Sequence, residues 1–110
     1  MLSLANKSCV PCRGDVAALK GRNLNSLHLE VTQWKVVTQH HITRTFNFPD
    51  FCKALHFVNR VGEVAEQKGH PPDILLAWDK AEVTLWTHNI DELTESDFII
   101  AANIDRFYPG

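Results

Sequence analysis

The chain has 110 residues, 45% apolar and 22% charged. That balance fits one globular domain and excludes a disordered segment, since two domains of about 55 residues would each bury too little core. Eleven Lys and Arg against thirteen Asp and Glu give a formal charge of −2, so no phosphate-neutralising surface is predicted and nucleic acid is not an expected ligand.

Met1 to Gly14 carries Asn6, Ser8, Pro11 and Gly14 with little periodicity and reads as an irregular arm (1–14) ahead of a single domain (15–110). Its opening residues are too polar for a signal peptide, and no apolar run exceeds that from Ile74 to Trp78, far below the roughly 20 residues that cross a bilayer. A cytoplasmic protein without membrane association is expected. Cys9, Cys12 and Cys52 are an odd set, too few for a disulfide scaffold, and are expected as reduced thiols. Cys9 and Cys12 have the spacing of half a zinc site or of a redox dithiol, but no second ligand pair follows, so free cysteines are the better reading.

From Asp15, Val16, Leu19, Leu24, Leu27 and Leu29 fit a helix loosely, with Gly21 and Asn23 interrupting it. Trp34 to Val37 and Ile42 to Phe48 are β-branched and aromatic, the second with apolar and polar residues alternating. They predict two paired strands with a turn near Gln39, His40 and His41. Pro49 and Asp50 suit a first helical turn. In the helix that follows, Phe51, Leu55, Val58, Gly62 and Ala65 form one row and Ala54, Phe57, Val61 and Val64 a second, a stripe broad enough to predict burial on two sides. Gly69 is placed to end this helix in a left-handed conformation, and Pro71 and Pro72 forbid its continuation.

Ile74 to Trp78 and Ala81 to His88 predict a hairpin turning at Asp79 and Lys80. On its second strand Glu82, Thr84, Trp86 and His88 share one face, and Ala81, Val83, Leu85 and Thr87 the other. Thr94 and Asp97 resemble a capping box opening a last helix with Phe98, Ile100, Ala101, Ile104 and Phe107. The expected fold is α+β, a four-stranded antiparallel-rich sheet with three helices packed on one face and the other face open. Wide apolar stripes on so small a domain predict a homo-oligomer.

Six histidines offer groups that give and take protons near neutral pH. His70 lies just beyond a helix C-terminus, whose dipole favours imidazolium. The folded hairpin should bring the strand end at His88 to the same sheet edge, with Glu66 one turn before His70, able to orient or charge-stabilise it. Spacing alone equally allows a loop histidine, a solvent-facing strand end and a solvated helix charge. His40 and His41 read as turn residues and His28 and His56 as isolated, so no metal cluster is expected. Phosphate loops and nucleophile elbows are absent.

The run Glu66-Gln67-Lys68-Gly69-His70-Pro71-Pro72, then Trp78, Lys80 and Thr84-Leu85-Trp86-Thr87-His88, resembles the signature of the pterin-4a-carbinolamine dehydratases, and nearly the whole chain agrees with it. The resemblance implies dehydration of 4a-hydroxytetrahydropterin to quinonoid dihydropterin in tetrahydrobiopterin recycling, with no cofactor or metal. One group protonates the leaving hydroxyl and another takes the N5 proton, each transfer contributing roughly 10²–10⁴-fold. By that resemblance His70 and His88 are the acid–base and pterin-contacting residues and Glu66 supports them. Pro71 occupies a position in the pterin site, and Pro72, Asp73, Thr87 and Asn89 edge the pocket. It also implies a homodimer or homotetramer. The family usually carries a second histidine or an asparagine where this chain has Pro71, a residue that offers no proton. Loss of one acid–base group costs about 3–5 kcal/mol of transition-state stabilisation at the upper end. The resemblance therefore also allows an alternative, a catalytically weakened binding, dimerisation or assembly module with a protein partner.

Overall fold

A computed structural model describes residues 21–108. The arm at 1–14, the start of the domain at 15 and the Cys9 and Cys12 pair lie outside the described residues. The element order is α1 (Gly21–His28), β1 (Lys35–Val37), β2 (His41–Asn47), α2 (Phe51–Lys68), β3 (Asp73–Leu76), β4 (Lys80–Leu85) and α3 (Glu95–Phe107). The expected α+β fold is the one formed. The strands make one four-stranded sheet in the order β1-β2-β4-β3 with every pairing antiparallel.

Two-residue alternation divides that sheet. Ile42 and Phe46 on β2 and Ala81, Val83 and Leu85 on β4 are fully buried and join one core with Phe57 and Val61 of α2 and Phe98, Ile100 and Ile104 of α3. The opposite rows stay open, with Thr43 facing Thr84 at 3.2 Å between hydroxyls and Leu75 57% exposed. The β1–β2 turn places Thr38 and Gln39 at φ 52° and 56° and closes through His40 N–H to Val37 O. Two consecutive left-handed residues give the turn the twist that a tight hairpin requires.

Asp50 caps α2 by accepting from Lys53 N at 2.8 Å, and Gly69 ends it at φ 63°, where a Cβ is disfavoured. Only one row of the broad α2 stripe is fully covered. Ala54, Phe57 and Val61 are buried, whereas Leu55 is 40% exposed, so among the described residues α2 packs on one side, not two. The hairpin strands also end earlier than their composition suggests. Trp78 falls in the turn, 76% exposed and stacked on Phe51. β4 leaves the ladder after Leu85, whose partner Ile42 is one residue from the start of β2, and Thr87 bridges to Glu92 instead. On the helix side Asp105 receives Trp34 Nε1–H at 2.9 Å and Arg44 at 2.7 Å, tying α3 to β2. No described helix is long and apolar enough to cross a membrane.

Candidate active site at one end of the sheet

Antiparallel register gathers the chemistry-bearing residues. Ile42 pairs with Leu85 and Asp73 with Thr84, so the start of β2, the end of β4 and the start of β3 share one end of the sheet, where α2 also terminates. His70 is the hinge residue there. Its backbone N–H donates to Ala65 O at 3.1 Å, closing the α2 terminus, and its imidazole turns inward until it is 1% exposed.

That imidazole meets Asp97. Nε2 lies 2.5 Å from Oδ1, while Oδ2 accepts from Thr87 Oγ1 and from Thr94 N–H, each at 2.9 Å. Thr87 and Thr94 hydroxyls lie 2.8 Å apart. Asp97 is fully buried in the first turn of α3, where the helix dipole favours a carboxylate, and its three donors are what a buried charge needs. With the carboxylate as acceptor, His70 carries its proton on Nε2, which makes Nδ1 the basic nitrogen. The expected capping box does form. A local cap accounts for one carboxylate oxygen, and the spare acceptor of an acidic residue flanked by the apolar run from Phe98 is the sequence signal of a tertiary partner.

Glu66, His70, Pro71 and Pro72, with Gly62, Ala65 and Gly69, line an open depression of about 370 Å³. Thr87 joins this group through Asp97. Asp73 is exposed at the first position of β3. His88 and Asn89 stand on the turn that follows Thr87, both exposed, and that turn places Asp91 at φ 54°. The His88 ring packs on Trp86 at 4.3 Å between centroids, not in the depression. Side-chain alternation is the cause: Thr87 points to the helix side, so its neighbours Trp86 and His88 point away. The two imidazoles thus share an end of the sheet, while His88 is not among the described residues that line the His70 depression.

Around Trp86 lies a group that no local sequence pattern predicts. His40 Nε2 contacts Asp91 Oδ1 at 2.8 Å, and His40 Nδ1 contacts His41 Nδ1 at 3.0 Å. Both rings lie near the Trp86 indole, at 5.7 Å and 6.3 Å. Burial, and next the neighbouring His40, hold the His41 imidazole below its ordinary range. No group of three or more metal-ligating side chains occurs among the described residues.

Residues 17–107 match the family described as pterin 4 alpha carbinolamine dehydratase. A relative from Rubrobacter xylanophilus, provisionally named pterin-4-alpha-carbinolamine dehydratase, is 54% identical over 96% of this chain and 99% of its own. One from Alkaliphilus metalliredigens under the same provisional name is 44% identical over 96% of each. Among solved structures, a transcriptional coactivator/pterin dehydratase from Brucella melitensis superposes with a TM-score of 0.79 at 29% identity, covering 84% of this chain and 99% of that one. A pterin dehydratase-like RuBisCO assembly factor of the alpha-carboxysome shares the fold, with a TM-score of 0.61 at 18% identity over 71% of this chain and 92% of that one.

Proposed function

Because the chain belongs to the pterin-4-alpha-carbinolamine dehydratase family, we propose that it dehydrates 4a-hydroxytetrahydropterin to quinonoid dihydropterin by histidine acid–base chemistry. The reaction expels the C4a hydroxyl as water and releases the N5 proton, so protons balance without a redox partner. The observation that carries the reading is the His70–Asp97–Thr87 network, whose His70 lines the depression together with Glu66. Asp97 sets the tautomer and steadies the imidazolium that forms when Nδ1 takes a proton. His88, on the adjoining turn, is the second acid–base group. Glu66 adds negative charge at the rim, and Pro71, Pro72, Asp73, Thr87 and Asn89 edge the pterin. The working protein is a cytoplasmic homodimer or homotetramer, an assembly consistent with the half-covered α2 stripe and one that could complete the cavity between His70 and His88.

Stopped-flow decay of the 4a-carbinolamine tests this. The wild type should exceed the uncatalysed rate, and His70→Ala and His88→Ala should each remove most of the excess. His88→Ala should do so at unchanged melting temperature, because His88 is exposed. A wild-type rate equal to the uncatalysed one rejects the reading. Pro71 favours a second reading, a binding or assembly module with residual turnover. The name of the Brucella relative joins coactivation to dehydration, and a stable protein partner with background-level turnover would select it.

A further inference from the structure

A second cavity, larger than the His70 depression, lies elsewhere. The N-terminal half of α2 forms one wall of a space of about 570 Å³. Lys53 on this wall and Glu66 at the first depression are about 20 Å apart along the helix axis, from a rise of about 1.5 Å per residue. Its floor is a box of four rings. Phe57 sits 5.1 Å from Phe48, 5.4 Å from Phe107 and 5.8 Å from Tyr108, and Tyr108 sits 5.6 Å from Phe48. The box is fixed in place, since the Tyr108 hydroxyl donates to Asn47 O at 3.0 Å and accepts from Asn47 N–H at 3.3 Å, pinning the end of α3 to the end of β2.

Above this floor stand Lys53, His56 and Arg60, at three- and four-residue steps that put them on one helix face. Among the described residues no acidic side chain lines the cavity, and none of the three is paired with a carboxylate. The Arg60 guanidinium lies 4.7 Å from the Phe107 ring centroid, held over the aromatic floor. An apolar, pre-formed pocket with a few convergent polar groups of one charge is built for an amphiphilic ligand. We propose that this cavity binds flat aromatic carboxylates, the ring system lying among Phe48, Phe57 and Phe107 and the carboxylate between Lys53 and Arg60. The site is separate from the His70 depression and does not depend on the dehydratase reading.

Amide NMR titration of the full chain with 2-naphthoate, and with neutral 2-naphthamide as control, tests it. Saturable shifts should centre on Phe48, Phe57, Phe107 and Tyr108 and spare Gly69 and His70. Naphthamide should bind about tenfold more weakly, and Lys53→Gln and Arg60→Gln should each weaken naphthoate about three- to tenfold while leaving naphthamide unchanged. Arg60→Lys should retain more naphthoate affinity than Arg60→Gln, and the amide spectra report whether each variant is folded. Equal affinity for the two probes, shifts confined to the His70 depression, or no binding at millimolar probe would each overturn the proposal.

Discussion

Replacing Asp97 by Asn probes the buried network with almost no change in volume. Thr87 Oγ1 and Thr94 N–H both donate to Oδ2, so the amide oxygen belongs at that position and the new NH2 faces His70 Nε2, which lies 2.5 Å from Oδ1 in the wild type. Two donors then confront each other unless His70 moves its proton to Nδ1, which removes the basic lone pair from that nitrogen. Hydrogen bonds to a charged group contribute roughly 1.5–3 kcal/mol and neutral ones about 1. Turning three charge-assisted bonds into neutral ones, with the two Thr donors still satisfied, should cost about 2 kcal/mol. For a domain of this size that lowers the melting temperature by about 10 °C. The wrong tautomer should also reduce dehydration by about 10² or more. Calorimetry gives the first quantity and stopped-flow absorbance the second, and nitrogen-15 shifts of the imidazole identify the protonated nitrogen. A variant with wild-type melting temperature and the proton still on Nε2 would refute the carboxylate's role. If the wild type itself proved inactive, the stability and tautomer measurements would still decide it.

Gly69→Ala should destabilise the fold by about 1 kcal/mol, read by urea unfolding, because φ is 63° while nothing lies within 4 Å of an added Cβ, so the cost is conformational and not steric. His41 is held low by burial and by His40, so the unfolded chain binds more protons at this site than the folded one. Its contribution to stability is complete above about pH 6.5 and is lost as pH falls through the lower folded value. Unfolding free energies between about pH 5 and about pH 7.5 should therefore slope less in His41→Gln than in the wild type. Pro71→His should raise the dehydration rate, by up to about 10²-fold if the imidazole reaches the depression, and an unchanged rate in a folded variant would mean that position 71 contributes no proton transfer.

Where local chemistry decides an element, the sequence was a sufficient guide. The alternation read over Ile42 to Phe48 and Ala81 to His88 sorted the two sheet faces, although the strands themselves run His41–Asn47 and Lys80–Leu85, Asp50 and Gly69 bounded α2, and Thr94 with Asp97 opened α3. Long-range partners were not legible. Asp97 reaches His70 across 27 positions and His40 reaches Asp91 across 51, and no local pattern encodes such meetings. His40 and His41 therefore read as turn residues, although they pack against Trp86. His88 lies on the face opposite Thr87, as the two-residue alternation predicts, so the hairpin brings its backbone to the right end of the sheet while its ring packs on Trp86 and not beside His70.

His70 closes the end of α2 through its backbone and clamps α3 through its ring, so one residue serves both the architecture and the proposed chemistry. Selection schemes that score cell growth or lysate turnover would confound the two at this position, because a weakened clamp lowers the amount of intact protein along with its rate. Libraries covering the α2–β3 junction need each clone's signal divided by its soluble yield before any substitution is ranked.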